Sequence, residues 1–279
     1  MTVKTLQDGY FDPLKIALSG QAFRIRSLDG THTELVAKRR YLQIASLGGG
    51  KFAFSCSPEE FEEIWKDYFD LDTDYKAIEK SICAEDTYLH EAAEYGRGIR
   101  ILRQDIFETV ISYIISQRRS IPSITTCVNR ICKIAGDTIK APSLPEPFIE
   151  PSESEYYAFP TASQILEHAG ELDDAGLGYR LPYVIAACRD FQSGKLTEEM
   201  LEQADDGRLF DLLTGMYGVG TKVANCAMLF AFHRTGRFPV DVWIQRIQDR
   251  YYGGSFDCSP YPDTAGIMQQ FMFFYERTR

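Results

Sequence analysis

Two short stretches of this chain put an amine and a carboxylate where both could act on one substrate. The run Gly215-Met216-Tyr217-Gly218-Val219-Gly220-Thr221-Lys222 is followed by Pro239-Val240-Asp241, so the lysine and the aspartate stand nineteen residues apart. The first stretch sets a glycine-rich turn at the start of a helix. Gly218 and Gly220 allow backbone angles closed to other residues, so the chain can turn sharply. The free N–H groups of the helix that follows point outward and carry the positive end of its dipole. Such a turn can hold a phosphate by backbone alone. At the same helix start the dipole disfavours the ammonium form of Lys222, and burial adds to this. A lysine so placed becomes an amine able to attack carbon. Asp241 follows the opposite logic. Pro239 fixes its entry, and it reads as the N-cap of a helix, which stabilises a carboxylate. A fixed anion suits a reaction that develops positive charge. Cradle, amine and carboxylate together would process damaged nucleic acid.

Each part also has a plainer reading. Gly turns between helices are common, as are solvated helix-end lysines and simple N-caps. Only the pair at this spacing tips the balance. A nucleotide-binding P-loop is excluded. Gly215 and Gly220 have its spacing, but Thr221 precedes Lys222 where that motif has lysine first. One position on a helix swings a side chain by about 100°. The stretch before the turn also reads as helix, where a P-loop needs a strand.

The elements that must hold these groups are mostly helical. Leu209, Phe210, Leu212, Leu213 and Met216 form the apolar stripe of the helix entering the turn. Val223, Ala224, Ala227, Met228 and Ala231 form that of the helix leaving it, which begins near Val219 to Thr221. The hairpin spans about 209–232. Ile244, Ile247 and Tyr251 make the stripe of the helix after Asp241. Ile106, Phe107, Val110, Ile111 and Ile114 make another, and Ile124, Val128, Ile131 and Ile134 a further one, ended by Gly136. Tyr179 to Phe191 and Thr264 to Tyr275 complete the helical set. The N-terminal part reads as strands at Phe23 to Ser27, Glu34 to Ala37, Tyr41 to Leu47 and Lys51 to Cys56. Ser57-Pro58-Glu59-Glu60 predicts a capping box with proline at the first helical position. The proline-rich, acidic stretch from Ala141 to Pro160 is expected to be an ordered surface loop. The expected fold is α+β, mostly α. An antiparallel β domain over 1–100, with flanking helices, packs on a helical catalytic domain over 101–279.

Composition narrows the class. The 279 residues suffice for a sizeable core, and 44% of them are hydrophobic. No run of eighteen apolar residues could span a membrane, and Met1 to Tyr10 lacks an apolar signal core. The seven cysteines, at 56, 83, 127, 132, 188, 226 and 258, form no Cys-x-x-Cys. This argues for reduced thiols and against zinc or an iron–sulfur cluster. The four histidines form no cluster either. The net charge of −10 is segregated. Residues 57–94 carry −10 and residues 137–175 carry −8, while residues 95–136 carry +5. A basic face opposite acidic flanks is compatible with DNA binding.

At Gly218-Val219-Gly220-Thr221-Lys222-Val223-Ala224 with Pro239-Val240-Asp241, the chain resembles the helix-hairpin-helix glycosylase superfamily. Four further segments narrow the resemblance to the 8-oxoguanine DNA glycosylase/AP lyase family, without iron–sulfur cluster. They are Ser19-Gly20-Gln21-Ala22-Phe23-Arg24, Leu102-Arg103-Gln104-Asp105, Leu177-Gly178-Tyr179-Arg180, and Ala265-Gly266 with Gln269 and Phe273. The resemblance implies a bifunctional enzyme of base-excision repair that excises 8-oxoguanine. Lys222 is then the Schiff-base nucleophile, with Asp241 as the second catalytic residue. Gly20, Cys226, Gln269 and Phe273 form the lesion-base pocket. Arg118, Tyr179 and Arg180 wedge the duplex and read the opposite base. Gly218, Val219, Gly220 and Trp243 bind phosphate. It implies double-stranded DNA containing oxidised guanine as partner, no cofactor, no metal and no membrane. The enzyme is expected to be a monomer, in the cytoplasm of a prokaryote or the nucleus of a eukaryote.

Three positions depart from the family pattern. Arg118 stands where the family has the first asparagine of an Asn-Asn-Asn run, Ser123 where it has an arginine, and Tyr217 where it has a proline. The first two imply a relaxed opposite-base preference. A glycosylase/lyase for another damaged base and a non-catalytic hairpin DNA-binding protein stay open as alternatives.

Overall fold

The β-forming stretches of the first fifty residues pair into one antiparallel sheet. The computed structural model describes residues 1–6 and 9–279. Strands β1 (Thr2–Thr5), β2 (Ile25–Ser27), β3 (His32–Ala37), β4 (Arg40–Gly48) and β5 (Lys51–Phe54) run in the order β1-β5-β4-β3-β2. The four expected strands are present with shifted ends. Strand β1 was not foreseen. It is a four-residue edge strand whose sequence shows no apolar pattern, and its place comes from pairing Thr2 to Thr5 with Phe54 to Lys51.

The sheet is covered on both faces. Leu35, Leu42, Ile44 and Phe54 pack with Phe11, Phe61, Trp65 and Phe69 on one side. On the other side lies the acidic segment expected to be a plain loop. Within it Glu155–Tyr157 is a short strand, pairing with Thr138–Lys140 just before the segment. Tyr156 packs on Val36 and Tyr41, and Phe148 on Ala45 and Ala53. Glu34 is buried there and accepts from Tyr41 at 2.9 Å, Tyr156 at 2.8 Å and Arg26 at 2.6 Å. Tertiary burial of Tyr156 and Phe148 therefore overrides the local proline signal.

The Ser57 capping box forms by half. Ser57 Oγ accepts from Glu60 N–H at 3.1 Å. The Glu60 carboxylate, however, accepts from Trp65 Nε1 at 2.9 Å. Trp65 is fully buried, and its indole N–H requires a partner. That demand outweighs the reciprocal cap.

Three of the helices around the site begin at aspartate side-chain caps. Asp105 caps Ile106–Ile115, Asp205 caps Asp206–Thr214 and Asp241 caps Val242–Tyr251. Ile106–Ile115 is apolar nearly all round, because it runs through the middle of the helical core. Its Tyr113 stacks on Phe230 with ring centroids 5.5 Å apart, which locks it to the helix Thr221–Phe230. The C-terminal helix Ala265–Thr278 packs against Thr87–Gly96. No helix is long and apolar enough to cross a membrane among the described residues.

Candidate active site

The hairpin forms as its glycines demand. The helix Asp206–Thr214 starts earlier than its apolar stripe suggested, because Asp205 accepts from Arg208 N–H at 2.8 Å. Gly218 then sits at φ 83°, and a Cβ there would lie 2.3 Å from the Tyr183 ring. Only glycine meets both conditions. Gly218→Ala is therefore expected to cost on the order of 1–3 kcal/mol and to weaken DNA binding. Thermal melting and duplex titration check this, and an unchanged variant would remove the argument.

Not every hairpin residue foreseen as a phosphate ligand is free to donate. Val219 is 8% exposed, and its N–H closes the turn onto Met216 O at 3.1 Å. This corrects the expectation for Val219: its backbone is already used. Gly220, the N-cap, and Thr221, the first helical residue, have N–H groups with no acceptor among the described residues. With Gly218, whose N–H also has no acceptor among the described residues, they are outward donors of the turn.

Lys222 follows at the second helical position, half-buried, its Nζ 5.4 Å from the Tyr113 ring centroid. Cys226 lies one turn on, on the same face. Burial pushes its thiol pKa up, Lys222 pulls it down, and Asp241 raises it. Lysine, thiol and carboxylate line the same cavity. Asp241 is the N-cap foreseen: its Oδ1 accepts from Trp243 and Ile244 N–H, each at 2.9 Å. Its Oδ2 has no hydrogen bond among the described residues and remains available.

These groups open into one cavity of about 870 Å³. Its lining includes Lys222, Asp241, Gly20, Cys226, Gln269, Phe273, Arg118 and Trp243. The lining carries four cations (Arg118, Arg119, Lys222 and Arg277) against one carboxylate, Asp241. The negative surplus of the chain therefore lies elsewhere. Gly20 adopts φ 77°, and a Cβ there would come 2.6 Å from Ile121 and 3.3 Å from Phe273. Glycine lets the backbone close against the Phe273 ring. Gln269 is 5% exposed and donates to Pro239 O at 3.2 Å, while its buried Oε1 has no partner. A buried amide oxygen without a donor is costly, and a ligand N–H in the cavity would satisfy it.

The wedge residues divide. Tyr179 is 50% exposed and leads an edge-to-face series through Tyr183 to Tyr217, which is 63% exposed. Arg118 is exposed at φ 53°, an uncommon conformation for a side chain other than Asn or Asp. Arg180 departs from the expectation. It is 5% exposed and donates Nε to Gln117 O at 2.9 Å and Nη1 to Leu177 O at 3.3 Å. In this arrangement it faces inward and holds the 117–118 loop through the Gln117 carbonyl, while Leu177 O also accepts from the Arg180 backbone N–H at 3.3 Å. Arg119 is likewise used internally, on Gly176 O and Ser123.

Two residues of the cavity lining, Tyr113 and Arg277, escaped the sequence reading. Tyr113 sits within an apolar stripe and reads as core. Gln117 belongs to the run Gln117-Arg118-Arg119-Ser120 between two helices, which the sequence offers as a wedge, and it bridges that loop to the hairpin, donating to Gly218 O at 3.0 Å. No local pattern marks that bridge, since it depends on a contact far along the chain.

Residues 5–110 match the family described as 8-oxoguanine DNA glycosylase, N-terminal domain. A probable N-glycosylase/DNA lyase of Methanothermobacter thermautotrophicus is 30% identical over 243 residues, covering 78% of this chain and 74% of that protein. The N-glycosylase/DNA lyase of Saccharomyces cerevisiae is 33% identical over 168 residues, covering 56% of this chain and 42% of the yeast protein's length. Among solved structures, the 8-oxoguanine glycosylase/lyase of Clostridium acetobutylicum, in complex with double-stranded DNA containing cytosine opposite 8-oxoguanine, superposes with a TM-score of 0.87. It is 28% identical, over 99% of this chain and 98% of that one.

Proposed function

Because the chain belongs to the 8-oxoguanine DNA glycosylase family of N-glycosylase/DNA lyases, we propose that it excises 8-oxoguanine from duplex DNA by base flipping and then cleaves the strand. The observation that carries this reading is the meeting of Lys222, Asp241 and Cys226 in a cavity whose deep Gln269 Oε1 lacks a donor. The Lys222 amine attacks the sugar carbon that bears the base. The glycosidic bond breaks, and its electron pair leaves with the base. Asp241 offsets the positive charge that develops on the sugar. Ring opening of the adduct gives an imine, and loss of the neighbouring proton expels the 3′ phosphate.

The pocket residues fit the base. Gln269 Oε1 accepts from its Watson–Crick edge. Cys226 and Phe273 enclose the ring, and the Gly20 carbonyl accepts the N7–H that separates 8-oxoguanine from guanine. Tyr179 fills the gap left in the stack. Trp243, with Gly218, Gly220 and Thr221, faces the backbone. The enzyme acts wherever the genome is held, the cytoplasm of a prokaryote or the nucleus of a eukaryote.

Borohydride trapping tests this. A covalent adduct is expected with a duplex holding one 8-oxoguanine, and none with the undamaged duplex. Excision without any adduct would remove the lysine chemistry. No excision of 8-oxoguanine, with excision of another lesion, would leave the glycosylase but change its substrate.

The partner-base preference is expected to be loose. Arg118 offers only donors to cytosine, where asparagine offers both donor and acceptor. Ser123 is too short to replace a second reader, and Arg180 is engaged internally. One bidentate contact is worth about 1–3 kcal/mol of discrimination. Arg118→Asn should therefore sharpen the preference for cytosine. Asparagine also tolerates positive φ, so the variant should melt no lower than wild type. Excision opposite each of the four bases, with a melting curve, checks both. Strict cytosine dependence in wild type and variant alike would show that Arg118 is not the reader.

A further inference from the structure

Arg277 is a cation of the cavity with no ion-pair or hydrogen-bond partner among the described residues. It lines the same space as Lys222 and Gln269. Its buried Nε–H has no hydrogen-bond partner. Burial lowers its pKa, and no carboxylate acts against that. The adjacent Glu276 pairs instead with Arg250 at 3.8 Å and accepts from Tyr88 at 3.3 Å. The guanidinium lies over Phe273, 5.4 Å from the ring centroid. A half-buried, unpaired guanidinium is costly unless an anion completes it.

Its place on the helix says which anion. Gln269, Phe273 and Arg277 recur every fourth residue of Ala265–Thr278, so they share one face. Gln269 is deepest and presents an unpartnered acceptor. Phe273 is intermediate and presents a ring. Arg277 lies about 12 Å further along the axis at 1.5 Å per residue, beyond the span of a purine ring. Acceptor, ring and cation in that order match a nucleotide lying along the helix, with its base edge inward and its phosphate outward.

We propose that Arg277 binds a backbone phosphate flanking the flipped nucleotide, completing a helix face that reads edge, ring and phosphate in turn. This rests on the assignment of the cavity as the lesion site. Each good phosphate contact adds about 0.9 to the slope of log affinity against log salt. It also strengthens binding on the order of tenfold, as for one charge-assisted hydrogen bond.

The test compares wild type, Arg277→Gln and Arg277→Lys on a duplex holding one tetrahydrofuran abasic analogue, which keeps the phosphates and lacks the base. Arg277→Gln is expected to bind about tenfold more weakly, with a slope shallower by about 0.9, and to melt no lower than wild type, since no internal bond is lost. Arg277→Lys should restore the slope. A neutral methylphosphonate at one flanking position should weaken wild type by the same factor and leave Arg277→Gln unaffected. Equal binding by Arg277→Gln and wild type would overturn the proposal. So would a loss confined to free 8-oxoguanine, because Arg277 would then read the base. Wild-type excision of 8-oxoguanine, run alongside, separates the two readings: its failure would remove the substrate assignment while the abasic duplex still reports the phosphate contact.

Discussion

Replacing Lys222 by glutamine is expected to abolish both base excision and borohydride trapping while leaving duplex binding within a few-fold of wild type. The amide has nearly the reach of the lysine chain but no lone pair able to form a C–N bond. The half-buried position, beside the Tyr113 ring and one turn before Cys226, has room for it. Binding should survive because the donors we assign to phosphate, Gly220, Thr221 and the cations at the cavity mouth, are untouched. Lys222 itself makes no hydrogen bond that holds the hairpin among the described residues; Gln117 donates to Gly218 O, and the Tyr183 ring packs against Gly218. A plain helix-end lysine would predict the reverse, with unchanged excision and slightly weaker binding. Single-turnover excision, trapping and a binding isotherm on the same preparation decide between them. Undiminished trapping in Lys222→Gln would move the nucleophile elsewhere.

How much of this was legible in the sequence depends on how local each signal is. The hairpin, the Asp241 cap and strands β2 to β5 of the sheet follow from turn glycines, a cap residue and periodicity, all contained within a few residues. The same holds for the pocket residues carried over by the family resemblance, which the structure brings to one cavity. What was not legible depends on distant partners. Arg180 looked like a reader because the Leu177-Gly178-Tyr179-Arg180 segment resembles a loop in which the family uses that position so. Here the carbonyl of Gln117, set by another loop, turns it inward, with Leu177 O of its own segment as a second acceptor. Val219 looked like a phosphate donor until the turn consumed its N–H. The 141–160 segment looked like a loop because its prolines are local, while the sheet that buries Tyr156 lies a hundred residues away. Arg277 gave no signal at all, since an unpaired cation is recognised only by the absence of neighbours.

Asp241→Asn is expected to slow excision by on the order of a hundredfold or more, the cost of removing one preorganised electrostatic contact from a transition state. Two roles compete for this carboxylate, and their magnitudes differ enough to separate. As an N-cap it holds Trp243 and Ile244 N–H through a single oxygen, Oδ1. Asparagine keeps that oxygen and ranks beside aspartate as a cap, so the lost charge–dipole attraction costs only about 0.3–1 kcal/mol of stability. A capping role alone therefore leaves a folded enzyme with near wild-type turnover. As an electrostatic partner its charge is the point, and the amide cannot replace it. The second oxygen, Oδ2, is free to face a developing cation in the cavity it shares with Lys222. The effect should also fall unequally on the two chemical steps. Breaking the glycosidic bond puts positive charge on the sugar, whereas strand cleavage at a ready-made abasic site starts from an aldehyde and needs no such charge. Asp241→Asn should hence lose far more activity on the 8-oxoguanine duplex than on the abasic duplex. Equal losses on both, or a folded variant with wild-type excision, would reduce Asp241 to its cap.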